Sequence, residues 1–313
     1  MIESAELPTS PVGPNKLVSV ALAAAIGFVL AAGAAYLLEY LDNTIRTPEE
    51  ITQALQVPVL GAIANREESE FHSSYIAKHP RSIMAEAFRS LRTNIEFAGV
   101  DKPLRSILVT SAGVSEGKTA VAVNLAVIMA QGGKKVIILD ADLRKPNVHN
   151  YLELSNNRGL SDVFRGSLDL HDAIRTWEEE NIICITAGNT PPNPAELIGS
   201  NKMDNILERL EQLVDVIVID APPLIVTDAA VLASKVDGVL MVVRYGHTPK
   251  DRIQAAMELI HRSGARVIGV ALNRIPRNGR NYYSHYQYSG GYYGIEETPS
   301  ESTVTPKSGD SYS

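Results

Sequence analysis

The tripeptide Gly117-Lys118-Thr119 has the clearest capacity for chemistry in this sequence. It follows an apolar run that begins at Arg105 and a loop of small residues, and it opens a segment of helical composition. Unpaired N–H groups at a helix start suit a polyphosphate, a lysine adds positive charge, and a threonine hydroxyl can bind Mg²⁺. We therefore predict a nucleotide site formed by Gly113, Val114, Ser115, Glu116, Gly117, Lys118, Thr119 and Ala120.

The loop departs from the strict pattern G-x-x-x-x-G-K-[ST] at one position. Ala112 stands where the first glycine belongs, and Gly113 follows one residue later. A chance Gly-Lys-Thr at an ordinary strand-to-helix turn is the competing interpretation. The order of apolar strand, loop and helix favours phosphate binding.

Three aspartates stand at the ends of predicted strands. Asp140 and Asp142 close the segment VIILDAD, and Asp220 closes VIVID. Acidic residues after a strand are also common turn residues, but three beside a phosphate loop favour Mg²⁺ binding, directly or through water. We predict a metal site of Thr119, Asp140, Asp142 and Asp220.

Phosphoryl transfer and hydrolysis would use these same residues, with a tyrosine or a water molecule as the acceptor. Transfer to a tyrosine requires a held nucleotide, neutralised charge and an aligned hydroxyl. Because a phenol has a pKa near 10, a nearby carboxylate helps to take its proton, and Asp140 is our candidate. The phosphate-loop motif alone leaves both reactions open.

The elements that position these residues alternate between strand and helix. Short runs rich in Ile and Val lie at residues 136–140, 182–186, 216–220, 238–243 and 267–272, with helical segments between them. Runs of this kind are typical of strands covered on both faces. We predict an α/β fold in which helices flank a parallel sheet and ligands bind at the carboxyl ends of the strands.

A stretch of 22 residues without a charge, from Leu17 to Leu38, precedes this domain. As a helix it would measure about 33 Å, enough to cross a hydrocarbon core of about 30 Å. A secretory signal peptide is the alternative, but its apolar region is shorter and cleavage would export a nucleotide-dependent domain. We expect a single-pass span of the cell (inner) membrane with the large C-terminal part in the cytoplasm.

The composition excludes several classes of protein. The formal net charge of −7 argues against a general nucleic-acid surface, so we predict no nucleic-acid partner. The single cysteine, Cys184, lies in an apolar run and forms no intramolecular disulfide. The seven histidines lack the spacing of a transition-metal site.

Changes in composition divide the chain into five parts. We predict a Pro-containing extracytoplasmic segment (1–16), the transmembrane helix (17–38), a juxtamembrane segment and linker (39–80), the nucleotide-binding domain (81–280) and a disordered tail (281–313). In the juxtamembrane segment, Thr47 to Glu50 form a capping box that predicts a helix to about Leu55. Six tyrosines are clustered in the tail: Tyr282, Tyr283, Tyr286, Tyr288, Tyr292 and Tyr293.

A further helix is predicted from Ser82 to Ala98. It carries Glu86, Arg89 and Arg92 along one sector of its surface, three residues apart. The spacing alone favours a solvated face with one ion pair, worth a few tenths of a kcal/mol.

Several of these features occur together in one family. The segments SAGVSEGKT, VIILDADLRKP and VIVIDAPP, the motif E-x-x-R-x-x-R at Glu86, Arg89 and Arg92, and the tyrosine cluster resemble the bacterial tyrosine autokinases of polysaccharide export. The apolar helix and DNTIRTPEEI resemble the end of the chain-length-determinant proteins to which such kinases are fused or paired. The resemblance covers roughly residues 8 to 293.

The resemblance implies an ATP- and Mg²⁺-dependent protein-tyrosine kinase that regulates capsule or exopolysaccharide polymerisation and export. Lys118 and Thr119 would bind the β- and γ-phosphates, Asp140 and Asp142 would form a second acidic box, and Asp220 would complete the metal site. The helix with Glu86, Arg89 and Arg92 would build a ring of subunits in which one tail enters the neighbouring active site. Phosphorylation of the tyrosine cluster would then repel the tails and dissolve the ring.

The family also implies partners beyond the chain itself. Its kinases usually have two membrane helices or a separate membrane activator, whereas one helix is predicted here. We therefore expect a ring-like homo-oligomer, membrane lipid, a membrane activator or chain-length-determinant protein, and a cognate tyrosine phosphatase. Asn273, at the end of the last predicted strand, is a candidate contact for adenine.

Two other functions compete with the kinase. A septum- or plasmid-positioning ATPase shares the fold, but its phosphate loop has an extra lysine where this chain has Gly113. A membrane-tethered, nucleotide-dependent scaffold without kinase activity, whose aromatic tail binds polysaccharide or a partner, is the non-catalytic alternative.

Overall fold

Residues 16–65, 76, 79–177 and 182–276 are described by the computed structural model. The predicted extracytoplasmic segment lies outside them except for Lys16, and so does the tyrosine-rich tail. The expectation of a disordered tail therefore concerns residues on which the structure gives no information.

The helices of the described part follow the predicted pattern of strand and helix. They are α1 (Lys16–Leu41), α2 (Pro48–Leu55), α3 (Ile83–Ala98), α4 (Lys118–Gln131), α5 (Val148–Tyr151), α6 (Leu160–Arg165), α7 (Leu170–Ala173), α8 (Pro194–Gly199), α9 (Asn201–Glu211), α10 (Thr227–Ala233) and α11 (Lys250–Arg262). Ser82 accepts a hydrogen bond from the Ala85 amide and so caps α3 where the sequence predicts its start.

The strands form one sheet of eight. They are β1 (Val59–Ala64), β2 (Ser106–Ser111), β3 (Val136–Asp140), β4 (Arg175–Trp177), β5 (Ile182–Ile185), β6 (Val216–Asp220), β7 (Gly238–Arg244) and β8 (Val267–Ile275), in the order β1-β8-β7-β2-β6-β3-β5-β4. All neighbours are parallel except β4 and β5. The predicted parallel α/β sheet is confirmed.

Helices cover both faces of the sheet, which explains the continuous apolar runs of its strands. On one face α3, α4 and α5 pack around residues such as Leu91, Leu125 and Val148. On the other face α2 and α6 to α11 pack around residues such as Ile51 and Ile253. Cys184 is fully buried in the first of these cores, as its apolar setting predicts.

The helix α1 contains the apolar stretch and has no buried residue. It is the one helix among the described residues that is long and apolar enough to cross a membrane, judged by length and composition. Its length of 26 residues exceeds what a bilayer core requires.

The segment after α1 is joined to the sheet domain. The capping box predicts α2 correctly: Thr47 accepts the Glu50 amide hydrogen, and Pro48 is the first helical residue. Before α2, the backbone at residues 43–45 is hydrogen-bonded to the loop at 246–250, and Thr44 pairs with Pro249.

One strand lies in the segment that the sequence assigns to a linker. The edge strand β1 pairs in parallel with β8, and Asn94 of α3 donates to the Leu60 carbonyl at 2.7 Å. Leu60 and Ile63 are buried. Part of the predicted juxtamembrane segment and linker (39–80) therefore belongs to the sheet, and the sequence does not predict the strand at residues 59–64.

Candidate active site

The predicted phosphate loop joins β2 to α4 at the carboxyl edge of the sheet. Gly117 has φ +90° and Ser115 has φ +60°, both in the left-handed region, and this turns successive backbone N–H groups toward one side. A Cβ at Gly117 would overlap the Asn273 amide nitrogen, so glycine is required there for space as well as for conformation. Val114 and Ser115 are exposed at the outside of the loop.

The structure brings together Lys118, Thr119 and two of the three aspartates. The Lys118 ammonium lies 2.9 Å from an Asp142 carboxylate oxygen and 3.3 Å from one of Asp220. The Thr119 hydroxyl donates to the other Asp220 oxygen at 2.7 Å. Strand ends and the start of α4 thus meet at one point, as the sequence predicts.

Asp140 is fully buried and organises the loop that follows β3. One of its oxygens accepts the amide hydrogens of Asn147 and Val148, each at 3.1 Å, and the other accepts that of Asp142 at 3.2 Å. In this structure the Asp140 carboxylate is thus held by backbone, while Asp142 makes the direct contact with Lys118.

The cluster holds more acidic than basic side chains in a buried place. Burial and repulsion from Asp220 raise the pKa of Asp140 to about 8, and burial also raises the pKa of Asp220. Burial opposes the charge of Lys118, but attraction to Asp220 and Asp142 outweighs it and leaves the lysine pKa above its usual value. With one ammonium group for three carboxyl groups, the cluster does not ionise all three carboxyls at neutral pH without a further cation.

This oxygen-rich, under-neutralised cluster fits a magnesium ion. Among the described residues, no group of three or more His, Cys, Asp or Glu side chains is arranged to hold a metal by itself. Mg²⁺ seldom needs such a cage, since it commonly binds one or two carboxylates, water and substrate phosphates. The Thr119 hydroxyl beside Asp220 is a donor set of this kind.

Glu116 connects the phosphate loop to the loop between β7 and α11. Its carboxylate accepts the Ala112 amide hydrogen at 3.1 Å and the Thr248 hydroxyl hydrogen at 2.8 Å. Burial raises the pKa of Glu116 to about 7, against the lowering effect of these hydrogen bonds and of Arg252. Thr248 belongs to the loop that pairs with the juxtamembrane residues 43–45, so a hydrogen-bonded connection runs from that segment to the phosphate loop.

Asn273 lies against the phosphate loop. Its amide nitrogen donates to the Glu116 carbonyl at 2.9 Å, its oxygen accepts the Arg274 amide hydrogen at 2.9 Å, and the residue is buried. In this structure Asn273 therefore supports the loop. Its predicted contact with adenine stays a prediction.

Gly113 sits in a confined position. A Cβ there would lie 3.1 Å from a Glu116 carboxylate oxygen and 3.3 Å from an Arg252 guanidinium nitrogen. A lysine at this place would need both neighbours to move. The flexible ends of these two side chains would have to shift by only a few tenths of an ångström.

A bidentate pair fastens the loop after β3 to α10. The Arg144 guanidinium donates to the two carboxylate oxygens of Asp228 at 2.7 and 3.1 Å, and Asp228 is buried. Sequence reasoning assigned no role to Asp228, Thr248 or Arg252. All three lie far along the chain from their partners, and only the folded topology brings them together.

The three motif residues of α3 take two different positions. Glu86 and Arg89 form an ion pair at 2.7 Å on the outer side of the helix, as the i, i+3 spacing predicts. The Arg92 guanidinium turns toward α4 and donates to the Ile128 carbonyl at 3.1 Å. The six tail tyrosines lie outside the described residues.

These features define a phosphate-loop, nucleotide-binding α/β domain, and the "AAA domain" family model matches residues 105–264. Tyrosine-protein kinase YwqD of Bacillus subtilis is 38% identical over 219 residues, which cover 70% of this chain and 90% of that protein.

Two solved structures have the same fold. The chimerical protein CapA2B2 superposes with a TM-score of 0.69 at 38% identity, over 74% of this chain and 100% of that one. The kinase domain of the Escherichia coli tyrosine kinase Etk superposes with a TM-score of 0.70 at 28% identity, over 80% and 99%. The chain belongs to the bacterial tyrosine kinases, which confirms the enzyme class predicted from its motifs.

Proposed function

We propose that the chain transfers the γ-phosphoryl group of ATP to tyrosines of its own C-terminal cluster, with the tail of one copy entering the site of a neighbouring copy. The observation that supports this proposal is that the side chains of four residues are in contact at the start of α4: Lys118, Thr119, Asp142 and Asp220. The proposed acceptors are Tyr282, Tyr283, Tyr286, Tyr288, Tyr292 and Tyr293.

In the proposed reaction the tyrosine oxygen forms a bond to the γ-phosphorus while the bond to the β,γ-bridging oxygen breaks, and ADP leaves. Lys118 and the backbone N–H groups of the phosphate loop neutralise charge on the phosphates. Asp140 takes the proton of the phenol, from its place at the end of β3 beside the cluster. Thr119, Asp140, Asp142 and Asp220 would hold Mg²⁺, which supplies further neutralisation of the phosphate charge.

The acceptor tail of one copy would reach its neighbour through ring assembly on α3. Glu86 and Arg89 support this role, because their pair is exposed on the outer side of the helix. CapA2B2 is described as a chimera, and we infer a comparable arrangement here, in which a membrane activator or chain-length-determinant protein assists the kinase. A cognate tyrosine phosphatase would reverse the modification.

We place the protein in the bacterial inner membrane through α1, in contact with lipid, with the kinase domain in the cytoplasm. Cytoplasmic ATP requires this orientation. In this position the kinase would regulate polymerisation and export of capsule or exopolysaccharide.

A mixing experiment tests the transfer between copies. One full-length variant carries Lys118→Met with an intact tail, and the other carries an intact site with the six tyrosines changed to phenylalanine. With MgATP, we expect phosphotyrosine on the Lys118→Met chain in the mixture and on neither variant alone. An unmodified tail in the mixture, while the wild type is modified, would show that transfer occurs within one chain.

A further inference from the structure

Arg92 differs from the two motif residues that precede it on α3. Glu86 and Arg89 form an ion pair with side chains that are 55% and 33% exposed, and Arg89 also donates to the Pro80 carbonyl just before the helix. One turn further, the Arg92 guanidinium leaves this face, and its Nη1 atom donates to the Ile128 carbonyl of α4 at 3.1 Å. The Nε atom of Arg92 is buried, with no hydrogen-bond partner among the described residues.

The end of α4 lacks a cation of its own. Its last turn contains no basic residue, and Gly132 follows the helix as its C-cap. The final carbonyls of a helix carry partial negative charge, and a cation beside them is stabilising. Arg92 supplies that cation from the neighbouring helix.

Gly132 provides the space for this contact. A Cβ at this position would overlap Nη1 of Arg92 and lie 3.2 Å from its Cζ. The φ of Gly132 is −76°, which alanine also adopts without strain. Alanine at 132 would therefore act mainly by displacing the Arg92 guanidinium, the far end of a flexible side chain.

We propose that Arg92 acts inside its own subunit, fixing α3 against the end of α4, and that of the three motif residues only Glu86 and Arg89 face a second copy. Arg92 is then a positioning residue for the ring surface. Its effect on assembly is indirect, through the placement of α3. The part that concerns the ring rests on the assembly proposed above, whereas the intramolecular contact stands without it.

A double-mutant cycle on the full-length chain in detergent tests the contact. The fluorescence of Trp177, the single tryptophan, which is buried at β4, reports unfolding. We expect Arg92→Ala and Gly132→Ala each to lower the melting temperature by about 2–4 °C. The melting temperature of the double variant should be no lower than that of Arg92→Ala, because both changes remove the same interaction.

Glu86→Ala is the matched control on the same helix. It breaks the exposed ion pair and leaves the hydrogen bond from Arg89 to the Pro80 carbonyl in place, so its melting temperature should stay within about 1 °C of the wild type. An unchanged melting temperature for Arg92→Ala, or fully additive effects of Arg92→Ala and Gly132→Ala, would overturn the proposal.

Light scattering on the same variants tests the consequence for the ring. Glu86→Ala should abolish assembly. Gly132→Ala places no side chain on the outer face of α3. It should nevertheless weaken assembly as Arg92→Ala does, so that the protein concentration required for assembly rises roughly threefold to tenfold. Compared with Arg92→Ala, Arg92→Lys should recover part of the melting temperature and part of the assembly, since it keeps a charged donor.

Rings of wild-type stability in Gly132→Ala, together with their loss in Arg92→Ala, would place Arg92 across the interface and refute the proposal. If the wild type forms no ring, the assembly proposed for this family member fails. The melting-temperature cycle then still decides whether Arg92 holds α3 to α4.

Discussion

At the scale of single residues, the site is a balance of buried charges. Lys118 lies between Asp142 and Asp220, and burial keeps the pKa of Asp140 and Asp220 raised. A magnesium ion bound with the nucleotide would relieve this repulsion, which gives the cluster a reason to bind one. Glu116 has a separate role, since its carboxylate joins the phosphate loop to Thr248.

Glu116 should make the stability of the protein depend on pH. Burial raises its pKa from 4.5 to about 7 in the folded chain. Between these values the folded chain keeps a proton that the unfolded chain releases, so the contribution is complete below pH 4.5 and is lost as the pH rises through 7. We expect Glu116→Gln to show a shallower fall of melting temperature across this range than the wild type.

The control for this prediction is Glu258→Gln, which alters an exposed carboxylate paired with Arg262 on α11. Its pH profile should match that of the wild type. Parallel profiles for Glu116→Gln and the wild type would show that the buried carboxyl does not titrate as proposed.

The sequence predicts which side chains lie together at the predicted nucleotide site. Lys118, Thr119, Asp142 and Asp220 meet because parallel strands and the helix after β2 share one edge of the sheet. It does not predict the partners of Glu116 and Asn273, because Thr248 is 132 residues away from Glu116 in the chain. It also cannot separate Arg92 from Arg89, since equal spacing on a helix says nothing about which neighbour each side chain meets.

At the scale of elements, the sheet extends further toward the N-terminus than composition suggests. The sequence does not reveal β1, because Pro58 directly precedes the strand, Gly61 interrupts its apolar run, and polar residues follow. An edge strand tolerates both residues, since only one of its sides is paired. The three-residue strand β4 is missed because it is too short for a periodic pattern.

A truncation series tests the role of β1. A fragment starting at residue 81 exposes the edge of β8 and loses the buried side chains of Leu60 and Ile63. We expect it to melt several degrees below a fragment starting at residue 43 and to aggregate more readily, since an unpaired edge strand invites association. Circular dichroism and gel filtration measure both. Equal melting temperatures would mean that β1 contributes nothing to the stability of the domain.

At the scale of the whole molecule, the predicted nucleotide site, the proposed ring surface and the apolar helix α1 lie on connected parts of one chain. The juxtamembrane residues 43–45 are hydrogen-bonded to the loop that carries Thr248, and α3 connects the exposed Glu86–Arg89 pair with the end of α4. Phosphorylation of the tail tyrosines would in turn affect association of the copies, since each phosphate adds about −1.5 to −2 charges.

Phosphorylation of the tail should therefore dissolve the ring. Six modified tyrosines would add roughly −9 to −12 charges to each copy, and their mutual repulsion opposes association. Light scattering before and after incubation with MgATP should show a smaller particle, and the variant with six phenylalanines should stay assembled. An unchanged particle size after full modification would contradict this switch.

The central claim is that the cluster around Lys118 carries tyrosine-kinase activity. The most direct test is quantitative mass spectrometry of phosphotyrosine on the full-length chain with MgATP, for the wild type and Lys118→Met. We predict modification of residues 282–293 in the wild type and a loss of at least about a hundredfold in the variant, because one preorganised charge at the reacting phosphate is removed. Equal modification of both chains, or none in the wild type even with its membrane activator present, would contradict the claim.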